Sequence, residues 1–523
     1  MGFPAGEEGR AERGNLQGYM PRDRTSSTGI TIRRGMREGR GVDLAAVARH
    51  AMEKYGFEPG FPGAVQREVG ALAEIRFPDE PGDLPDLRAL LWSSIDNEDS
   101  MDLDQIEYCE QRENGEILVR VAVADVDLYV KKESPTDQHA ARNGTSVYAG
   151  VETFPLFPDR LSRGITSLLP GRDRMAVVIE YAVLPDGDFR PGEVYRALVN
   201  NKAKLVYEEI GDWFEGTTPV PPSVREVAGL EAQLRLQLGA SMLLKRYRME
   251  QGALELDTLE PRTIVDEGKI CRLVIPKKNL AGHLIEDFMI AANGTMVARL
   301  EKAGVPMVQR VVRVPKHWDG IVETAAKYGE RLPAEPDAKA LSDFLVRQKK
   351  ADPLRFPDLS LTIVKLLGRG EYLTLVPGQA PYGHFGLAVT HYTHSTAPNR
   401  RYVDLVIQRL VKSVLTGKGI PYTTDELGEL SAWLTDREHE ANKVERFMRK
   451  AEAAVLLRDS IGKVFEAIVT GATDHGTYAR LFIPPAEGKV VANEKGLAVG
   501  QLIRVKLLEA DPYNAWIDFE RVG

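Results

Sequence analysis

Two hydrophobic periods alternate along the central part of the chain. Some short runs are apolar at nearly every position, which is typical of buried β-strands, whereas longer runs place apolar residues three and four positions apart, which is typical of helices. The predicted strands cover residues 118–124, 176–183 and 272–275, and the predicted helices cover residues 228–250, 281–303, 319–328 and 402–416. A charged stretch of helical period follows over residues 425–459. The mixture predicts one large α+β domain over residues 90–460.

A different pattern begins at residue 461. Short apolar runs, separated by turn residues, now follow one another closely. They cover residues 464–469, 478–483, 488–491, 502–508 and 516–519. Five short strands at this spacing predict a small closed β-barrel of the OB-fold type over residues 461–523.

The N-terminal part divides into a polar tail and a helical segment. Residues 1–40 are rich in Arg, Gly, Ser and Thr, a composition that predicts either a disordered terminus or a basic, RNA-contacting arm. In residues 41–89, Asp43 can cap a first helix, and a Gly- and Pro-containing turn separates it from a second amphipathic stretch. Two short helices joined in this way fit a helix-turn-helix unit or a helical packing module that contacts no nucleic acid.

Composition and charge narrow the possible functions. Of the 523 residues, 43% are hydrophobic and 28% are charged, which excludes disorder over most of the length. No apolar run approaches the roughly 20 residues of a membrane span, and no signal peptide is visible. With only Cys109 and Cys271, a disulfide framework and a Cys-based zinc site are excluded, so we expect a cytoplasmic protein. The net charge of -8 argues against nonspecific coating of nucleic acid but permits a local basic channel.

The most informative stretch is an acidic run without an intervening cation. It contains Asp96, Glu98, Asp99, Asp102 and Asp104. Carboxylates crowded in this way need a positive partner, and hard oxygen ligands favour Mg²⁺ or Mn²⁺. An EF-hand calcium loop is excluded because residue 101, where a register starting at residue 96 requires glycine, is methionine. The alternative is an acidic, solvated loop.

A second candidate site lies near residue 400. Pro398 suits the first turn of a helix, so Arg400 and Arg401 are predicted to lie at a helix N-terminus, where free N–H groups and two guanidiniums could bind phosphate. The alternative is a surface ion pair of Arg401 with Asp404. Carboxylates for a metal together with arginines for a phosphate suggest metal-assisted phosphodiester hydrolysis. Whether the two clusters meet in space does not follow from the sequence.

The order of several motifs resembles that of the RNase II / RNase R (RNB) family of exoribonucleases. The resemblance covers roughly residues 90–523, and although each motif is weak alone, eight in the family's order are specific. They are Ser94–Asp96 with Asp102–Asp104, Val123–Val126, Asn143–Tyr148, Phe154–Ser162, Lys202–Glu208, Leu284–Met289 with Ala292–Asn293, His384–Leu387, and Tyr392–His394 with Pro398–Tyr402.

The resemblance implies an activity. Members of the family hydrolyse single-stranded RNA processively from the 3′ end, use Mg²⁺ and release nucleoside 5′-monophosphates. It implies a monomer with single-stranded RNA as its partner. Mn²⁺ is a second candidate ion. Two rival hypotheses are a non-catalytic RNA-binding protein of the same fold, and a deoxyribonuclease or a nuclease that does not distinguish RNA from DNA.

The resemblance also implies roles for the acidic residues. Asp96, Asp102 and Asp104 fall on the family's metal-site positions, and Asp104 on the carboxylate most needed for catalysis. The family motif usually continues with a further aspartate, and here that position is Gln105. An amide can ligate a metal through its carbonyl oxygen but brings no charge. We therefore expect Gln105 at the metal site, with weaker metal binding or an altered geometry.

Further roles follow by the same correspondence. Arg400 falls on the arginine that steadies the scissile phosphate, with Arg401 beside it as an RNA-binding candidate. Tyr148 falls on the aromatic residue that clamps the terminal base, and Glu445 on a glutamate near the same site. Asn399 replaces the family's usual aliphatic residue before the arginine pair.

The two ends of the chain differ in how well they match the family. The N-terminal 90 residues are too few for the two cold-shock barrels of RNase II, so RNA entry must be built differently. The C-terminal barrel resembles an RNA-binding OB domain of the ribosomal S1 type. Such domains bind single strands by base stacking, and Phe465, His475 and Tyr478 are the stacking candidates. The alternative for Phe465 is a place in the barrel core.

Overall fold

The computed structural model describes most of the chain. The described residues are 42–75, 84–257, 261–266, 269–275, 278–353, 355–473 and 476–522. The predicted basic tail over residues 1–40 and the stacking candidate His475 lie outside them.

Twelve α-helices occur in the described residues, and the longest of them precedes the C-terminal barrel in the chain. They are α1 (Leu44–Lys54), α2 (Gly63–Ala71), α3 (Pro135–Asn143), α4 (Tyr207–Phe214), α5 (Pro222–Arg225), α6 (Leu230–Glu250), α7 (Leu280–Lys302), α8 (Trp318–Lys327), α9 (Ala338–Ala351), α10 (Phe356–Leu367), α11 (Tyr402–Thr416) and α12 (Thr424–Leu457). A π-helical turn covers Arg160–Ile165, and short 3₁₀ turns cover Val126–Leu128, Phe385–Leu387 and Arg458–Ser460.

Seventeen strands accompany these helices in the same described ranges. They are β1 (Ser93–Asp96), β2 (Gln105–Gln111), β3 (Ile117–Ala124), β4 (Val147–Tyr148), β5 (Thr153–Phe154), β6 (Asp173–Val183), β7 (Phe189–Asn200), β8 (Ala203–Val206), β9 (Arg262–Asp266), β10 (Lys269–Val274), β11 (Met307–Val311), β12 (Glu371–Leu375), β13 (Val464–Thr473), β14 (Gly476–Leu481), β15 (Glu487–Ala492), β16 (Leu502–Asp511) and β17 (Trp516–Arg521). The α+β class predicted from the two periods is confirmed.

A six-stranded sheet forms the centre of the molecule, in the order β7-β6-β3-β2-β1-β8. All residues of β3 except Arg120 are buried, as expected for a strand that is covered on both faces. Helix α7 contacts β3, β6 and β7. Strand β1 ends at Asp96 and its neighbour β2 begins at Gln105, so the acidic run is the connection between two adjacent strands.

The two predicted N-terminal helices are present, but their buried residues join two different hydrophobic clusters. Asp43 caps α1 by accepting the N–H of Ala46 at 3.0 Å. The buried face of α1 packs with α12 and with the hairpin of β4 and β5. The buried residues of α2 instead join the core around the central sheet. The two helices therefore serve as separate packing elements, as the helical-packing alternative holds.

The C-terminal strands close into a barrel in the order β13-β14-β15-β17-β16, which confirms the predicted OB-type fold. The second predicted strand extends to residue 483, whereas β14 ends at Leu481. Two consecutive prolines at 484 and 485 explain this earlier end, because proline lacks the N–H that a strand ladder uses. Helix α12 packs against β16 and β17.

Within the described part of the chain, no helix is both long and apolar enough to cross a membrane.

Candidate active site

A pocket of about 340 Å³ lies where the acidic connection meets the segment before α11. It is lined by Asp96, Asn97, Ser100, Asp102, Asp104, Gln105, Tyr148, Tyr207, Ile285, Met289, Thr396 and Arg400. All four sequence-predicted metal-site residues, the predicted phosphate arginine and the predicted base-clamp tyrosine therefore border one cavity. The two clusters that the sequence left separate come together in space.

Asp104 is the most deeply buried carboxylate of the pocket. It immediately precedes β2, and only 3% of its surface is exposed. One oxygen accepts the backbone N–H of Asn399 at 2.8 Å, and the other lies 3.4 Å from Nε of Arg400. These two contacts join the acidic run to the arginine segment, which lies 295 residues further along the chain.

Burial dominates the protonation of Asp104. Removal of water from the carboxylate raises its pKa to about 8, although Arg400 and the N–H of Asn399 act in the opposite direction. Burial also raises the pKa of Asp96, whose Oδ1 accepts the N–H of Asn97 at 2.8 Å and the hydroxyl of Ser100 at 2.7 Å. Without a further positive partner, these two carboxyl groups hold protons more tightly than free aspartic acid does.

The donor set of the pocket fits Mg²⁺. Asp96, Asp102, Asp104 and Gln105 offer oxygen ligands on its wall, and a bound cation would offset the burial that raises the pKa of Asp96 and Asp104. Among the described residues, no three His, Cys, Asp or Glu side chains are gathered closely enough to hold an ion by themselves. Mg²⁺ usually takes one or two protein carboxylates and completes its shell with water and substrate phosphates. The open arrangement suits an ion shared with a substrate.

The two arginines have different surroundings. Arg400 reaches into the pocket beside Asp104, whereas Arg401 is the N-cap residue of α11 and pairs with Asp404 at 2.9 Å. The Asp404 side chain is fully buried, so the predicted pair exists but is not a surface pair. The helix begins at Tyr402, as its predicted range 402–416 gives, but Pro398 lies in the turn before it and not in its first turn. The carboxylate of Asp404 accepts the N–H of Ala397 at 2.8 Å, which holds the preceding residues in a turn.

Tyr148 faces the pocket from a second direction. It ends strand β4, and 45% of its surface is exposed. Its backbone N–H is donated to Oε1 of Glu445, 3.3 Å away on α12. Just before it, the N–H of Ser146 is donated to the carbonyl of Arg400 at 2.9 Å. Glu445 therefore contacts the backbone of the predicted clamp residue rather than lining the pocket.

The described stacking candidates of the barrel lie away from this pocket. Phe465 in β13 is half-buried and packs against the barrel core, as its alternative interpretation holds. Tyr478 in β14 is also half-buried, and Nζ of Lys450 lies 5.6 Å from the centre of its ring. This cation–π contact joins the barrel to α12.

Several lining residues were not predicted as site residues. Tyr207, Ile285 and Met289 border the pocket from α4 and α7. All three lie within motifs that carried the family resemblance, and these motifs are the sequence feature that could have indicated them as site residues. Their apolar or aromatic side chains border the same cavity as the acidic residues, an arrangement that only the packing of α4 and α7 reveals.

Glu107, two residues after Gln105 in β2, was also not predicted as a site residue. It is fully buried, and neither carboxylate oxygen has a hydrogen-bond partner among the described residues. Burial raises its pKa well above the usual value, and the nearby charge of Asp96 adds to this shift. Its protonated form is therefore favoured behind the pocket wall.

Comparison with known proteins places these features in a family. The sequence model of the RNB domain matches residues 85–417, which is more than half of the chain. The model of the RNase II-type exonuclease C-terminal S1 domain matches residues 463–522.

Curated relatives carry the name Ribonuclease R. The protein of Thermotoga maritima is 30% identical over 518 residues, covering 91% of this chain and 70% of that protein. Ribonuclease R 1 of Lactococcus lactis is 27% identical, covering 93% of this chain and 61% of that protein. The protein of Escherichia coli is 29% identical and is covered over 56% of its length. The chain thus spans between about half and two thirds of most of these relatives.

Solved structures share the fold. Mycoplasma genitalium RNase R in complex with ribose methylated single-stranded RNA superposes with a TM-score of 0.83 at 22% identity, covering 92% of this chain and 79% of that one. Yeast Ssd1, described as a pseudonuclease, superposes with a TM-score of 0.66 at 16% identity, covering 86% of this chain and 56% of that one. The extent of the RNB match and the 30% identity to a Ribonuclease R confirm the resemblance drawn from the motifs. The chain belongs to the RNB family of exoribonucleases.

Proposed function

We propose that this protein hydrolyses single-stranded RNA processively from its 3′ end, with Mg²⁺, and releases nucleoside 5′-monophosphates. One observation supports the proposal more strongly than any other. The buried Asp104 and the exposed Arg400 meet in a pocket that Tyr148 also borders, so a candidate metal-binding carboxylate, a candidate phosphate-binding cation and a candidate base-stacking ring share one cavity.

The size of the pocket favours removal of one nucleotide at a time. Its volume of about 340 Å³ lies at the small end of the range for ligand sites, which is roughly 300–1,000 Å³. A cavity of this size holds about one nucleotide, so the rest of the strand must extend out of it. A strand end is therefore the natural substrate.

The acidic residues and Arg400 would perform the chemistry. Mg²⁺, when bound, activates a water molecule and neutralises charge on the phosphate. One or two of the carboxylates of Asp96, Asp102 and Asp104 would hold the ion directly, with the carbonyl oxygen of Gln105 as a candidate neutral ligand. Arg400 donates hydrogen bonds to the scissile phosphate from the side of the pocket beside Asp104, where it stabilises developing negative charge.

Tyr148 would position the end of the RNA. Tyr148 stacks on the 3′-terminal base, and stacking accepts every base because each has a π-face. The half-exposed ring is accessible for such a contact. Fixing the base fixes the distance from the last phosphate to the acidic residues. RNA as the substrate is supported by two solved structures of Mycoplasma genitalium RNase R, one in complex with single-stranded RNA and one with double-stranded RNA.

A time course on a 5′-labelled RNA tests the proposal. The RNA carries a stem with a short single-stranded 3′ overhang and is incubated with Mg²⁺ or with EDTA, beside a DNA of the same sequence. A metal-dependent ladder that shortens from the 3′ end of the RNA is expected. Internal cuts, shortening from the 5′ end or equal cleavage of the DNA would contradict it. The stop point shows whether the enzyme enters the stem.

A second candidate function is RNA binding without catalysis. Gln105 removes one charge from the family's acidic motif, and the pseudonuclease Ssd1 shows that this fold also occurs without nuclease activity. A gel shift with intact RNA at every Mg²⁺ and Mn²⁺ concentration would favour this candidate. Release of mononucleotides that stops with EDTA would exclude it.

A further inference from the structure

We infer that the N-terminal helix α1 is a positioning element for the base clamp, because it packs the hairpin that carries Tyr148 into place. The hairpin of β4 and β5 (147–154) is called the clamp hairpin below. The inference rests on the proposed function, and it gives the N-terminal segment a role inside the catalytic body.

The clamp hairpin is too small to fix its own position. Its strands contain two residues each, paired as Val147 with Phe154 and Tyr148 with Thr153. Isolated two-stranded hairpins are marginally stable in water even when they are longer. The position of the Tyr148 ring must therefore be set by the surfaces against which the hairpin packs.

Helix α1 supplies one of these surfaces. Val147 and Ala149, the residues on either side of Tyr148, are fully buried in a hydrophobic cluster with Val47 and Met52 of α1. Alternation along a strand then directs Tyr148 away from α1 and toward the pocket. The packing that buries its neighbours in this cluster thus sets the direction of the ring.

A polar contact also joins α1 to the clamp hairpin. Arg49 of α1 pairs with Glu152 in the turn of the clamp hairpin, and its guanidinium lies 6.0 Å from the centre of the Phe154 ring. The Arg49 side chain is 55% exposed, so the pair adds little to stability. It does tie the turn of the hairpin to the helix.

Helix α12 supplies a second surface. Val444 and Met448 join the same hydrophobic cluster, and Glu445 between them accepts the N–H of Tyr148. At the hairpin turn, Gly150 has a φ of +74°, and a Cβ there would lie 1.9 Å from Oε1 of Glu452. The clamp hairpin is therefore held by both α12 and α1, and loosening α1 removes one of these two supports.

Matched valine substitutions test the inference. Val47→Ala removes two methyl groups from α1 at the clamp hairpin, and Val65→Ala removes the same groups from α2, which packs in the other cluster. The full-length variants are bound, in EDTA, to RNA with 2-aminopurine at its 3′ end, whose fluorescence is quenched by stacking. KM and kcat on a short RNA are measured with Mg²⁺.

For Val47→Ala, we expect at least half of the quenching to be lost and KM to rise about three- to tenfold, with kcat within about twofold, because clamping is a binding contact. Val65→Ala should change neither value, although both variants should melt at similarly lowered temperatures. Arg49→Gln, at an exposed position that cannot disrupt the core, should shift quenching in the same direction by less. Equal quenching in the two valine variants would overturn the inference.

Tyr148→Ala separates the inference from the proposed function. If it loses the quenching while Val47→Ala keeps it, α1 does not position the clamp, and the proposed function stands. If Tyr148→Ala keeps both the quenching and KM, Tyr148 is not a base clamp, and the inference fails with that role.

Discussion

The two walls of the pocket are built in opposite ways. The acidic wall connects neighbouring strands of the six-stranded sheet, so Asp96 and Asp104 stand on a backbone fixed by ladder hydrogen bonds. The other wall carries Tyr148 on the clamp hairpin, which has two residues in each strand and is held by side chains of α1 and α12. In the proposed function, the chemistry would thus depend on the hydrogen-bonded sheet, and the positioning would depend on packing between distant segments.

This difference separates the effects of substitutions. Changes in the acidic wall should alter the rate of bond cleavage, because they alter the charges around the phosphate while the sheet stays intact. Changes around the clamp hairpin should alter how the RNA end is bound. The predictions below are ordered from the largest expected effect to the smallest, and each one tests this separation.

Asp104→Asn should cause the largest loss. A metal ligand is worth several kcal/mol in the transition state, so kcat should fall by at least about a thousandfold. RNA affinity, measured by fluorescence anisotropy, should stay within about twofold, because Asn keeps the size of the side chain. Glu98→Gln is the matched control, since Glu98 belongs to the same acidic run but is exposed. A normal kcat for Asp104→Asn would remove Asp104 from the mechanism.

Arg400→Gln should have the next largest effect. Loss of one charged donor to a developing oxyanion typically costs about a hundredfold or more in kcat. The exposed Arg112 provides the control substitution Arg112→Gln. Steady-state kinetics on the same RNA distinguish the outcomes. An increase in KM alone would show that Arg400 contributes only to binding.

The raised pKa of Asp104 predicts how stability changes with pH. In the metal-free protein, this group binds its proton more tightly folded than unfolded, so stability falls as pH rises from about 4 to about 8. Asp104→Asn should avoid this fall and should be the more stable form at pH 8, by an amount on the order of a few kcal/mol. Thermal melts in EDTA at pH 5 and pH 8 measure the difference. The same difference at both pH values would contradict the assignment.

Gln105→Asp should give the smallest change. One added carboxylate at the pocket should tighten Mn²⁺ binding by about tenfold, because affinity for hard cations rises with the charge of the ligands. Electron paramagnetic resonance of free Mn²⁺ measures the affinity directly. Gln111→Asp, at the far end of the same strand, is the control. Unchanged or weaker binding would show that residue 105 is not a metal ligand.

Much of the fold follows from local patterns. The helix predicted over 281–303 occurs at Leu280–Lys302, and the helix predicted over 402–416 occurs at Tyr402–Thr416. Helical and strand periods were decisive because these elements bury one face or are buried throughout. The acidic wall could be predicted from the sequence equally well. Its carboxylates lie within nine positions of one another, and such crowding needs a positive partner.

Features that depend on contacts between distant residues were not predicted. The turn at Pro398 depends on the carboxylate of Asp404 and on Asp104, which accepts a backbone N–H from 295 positions away. A helix-turn-helix unit and two separately packed helices have the same amphipathic pattern, so the sequence of residues 41–89 fits either arrangement. Only the clusters that bury α1 and α2 distinguish the two arrangements.

The separation between the two walls can be tested in one single-turnover experiment. Excess enzyme is mixed with 3′-end-labelled RNA and Mg²⁺, and the dissociation constant and the rate of release of the terminal nucleotide are measured for Asp104→Asn and Tyr148→Ala. We expect Asp104→Asn to bind RNA like the wild type and to lose release, and Tyr148→Ala to bind more weakly and to recover most of its release rate at saturating enzyme. Loss of binding in Asp104→Asn, or loss of release in Tyr148→Ala at saturation, would contradict the division of chemistry and positioning between the two walls.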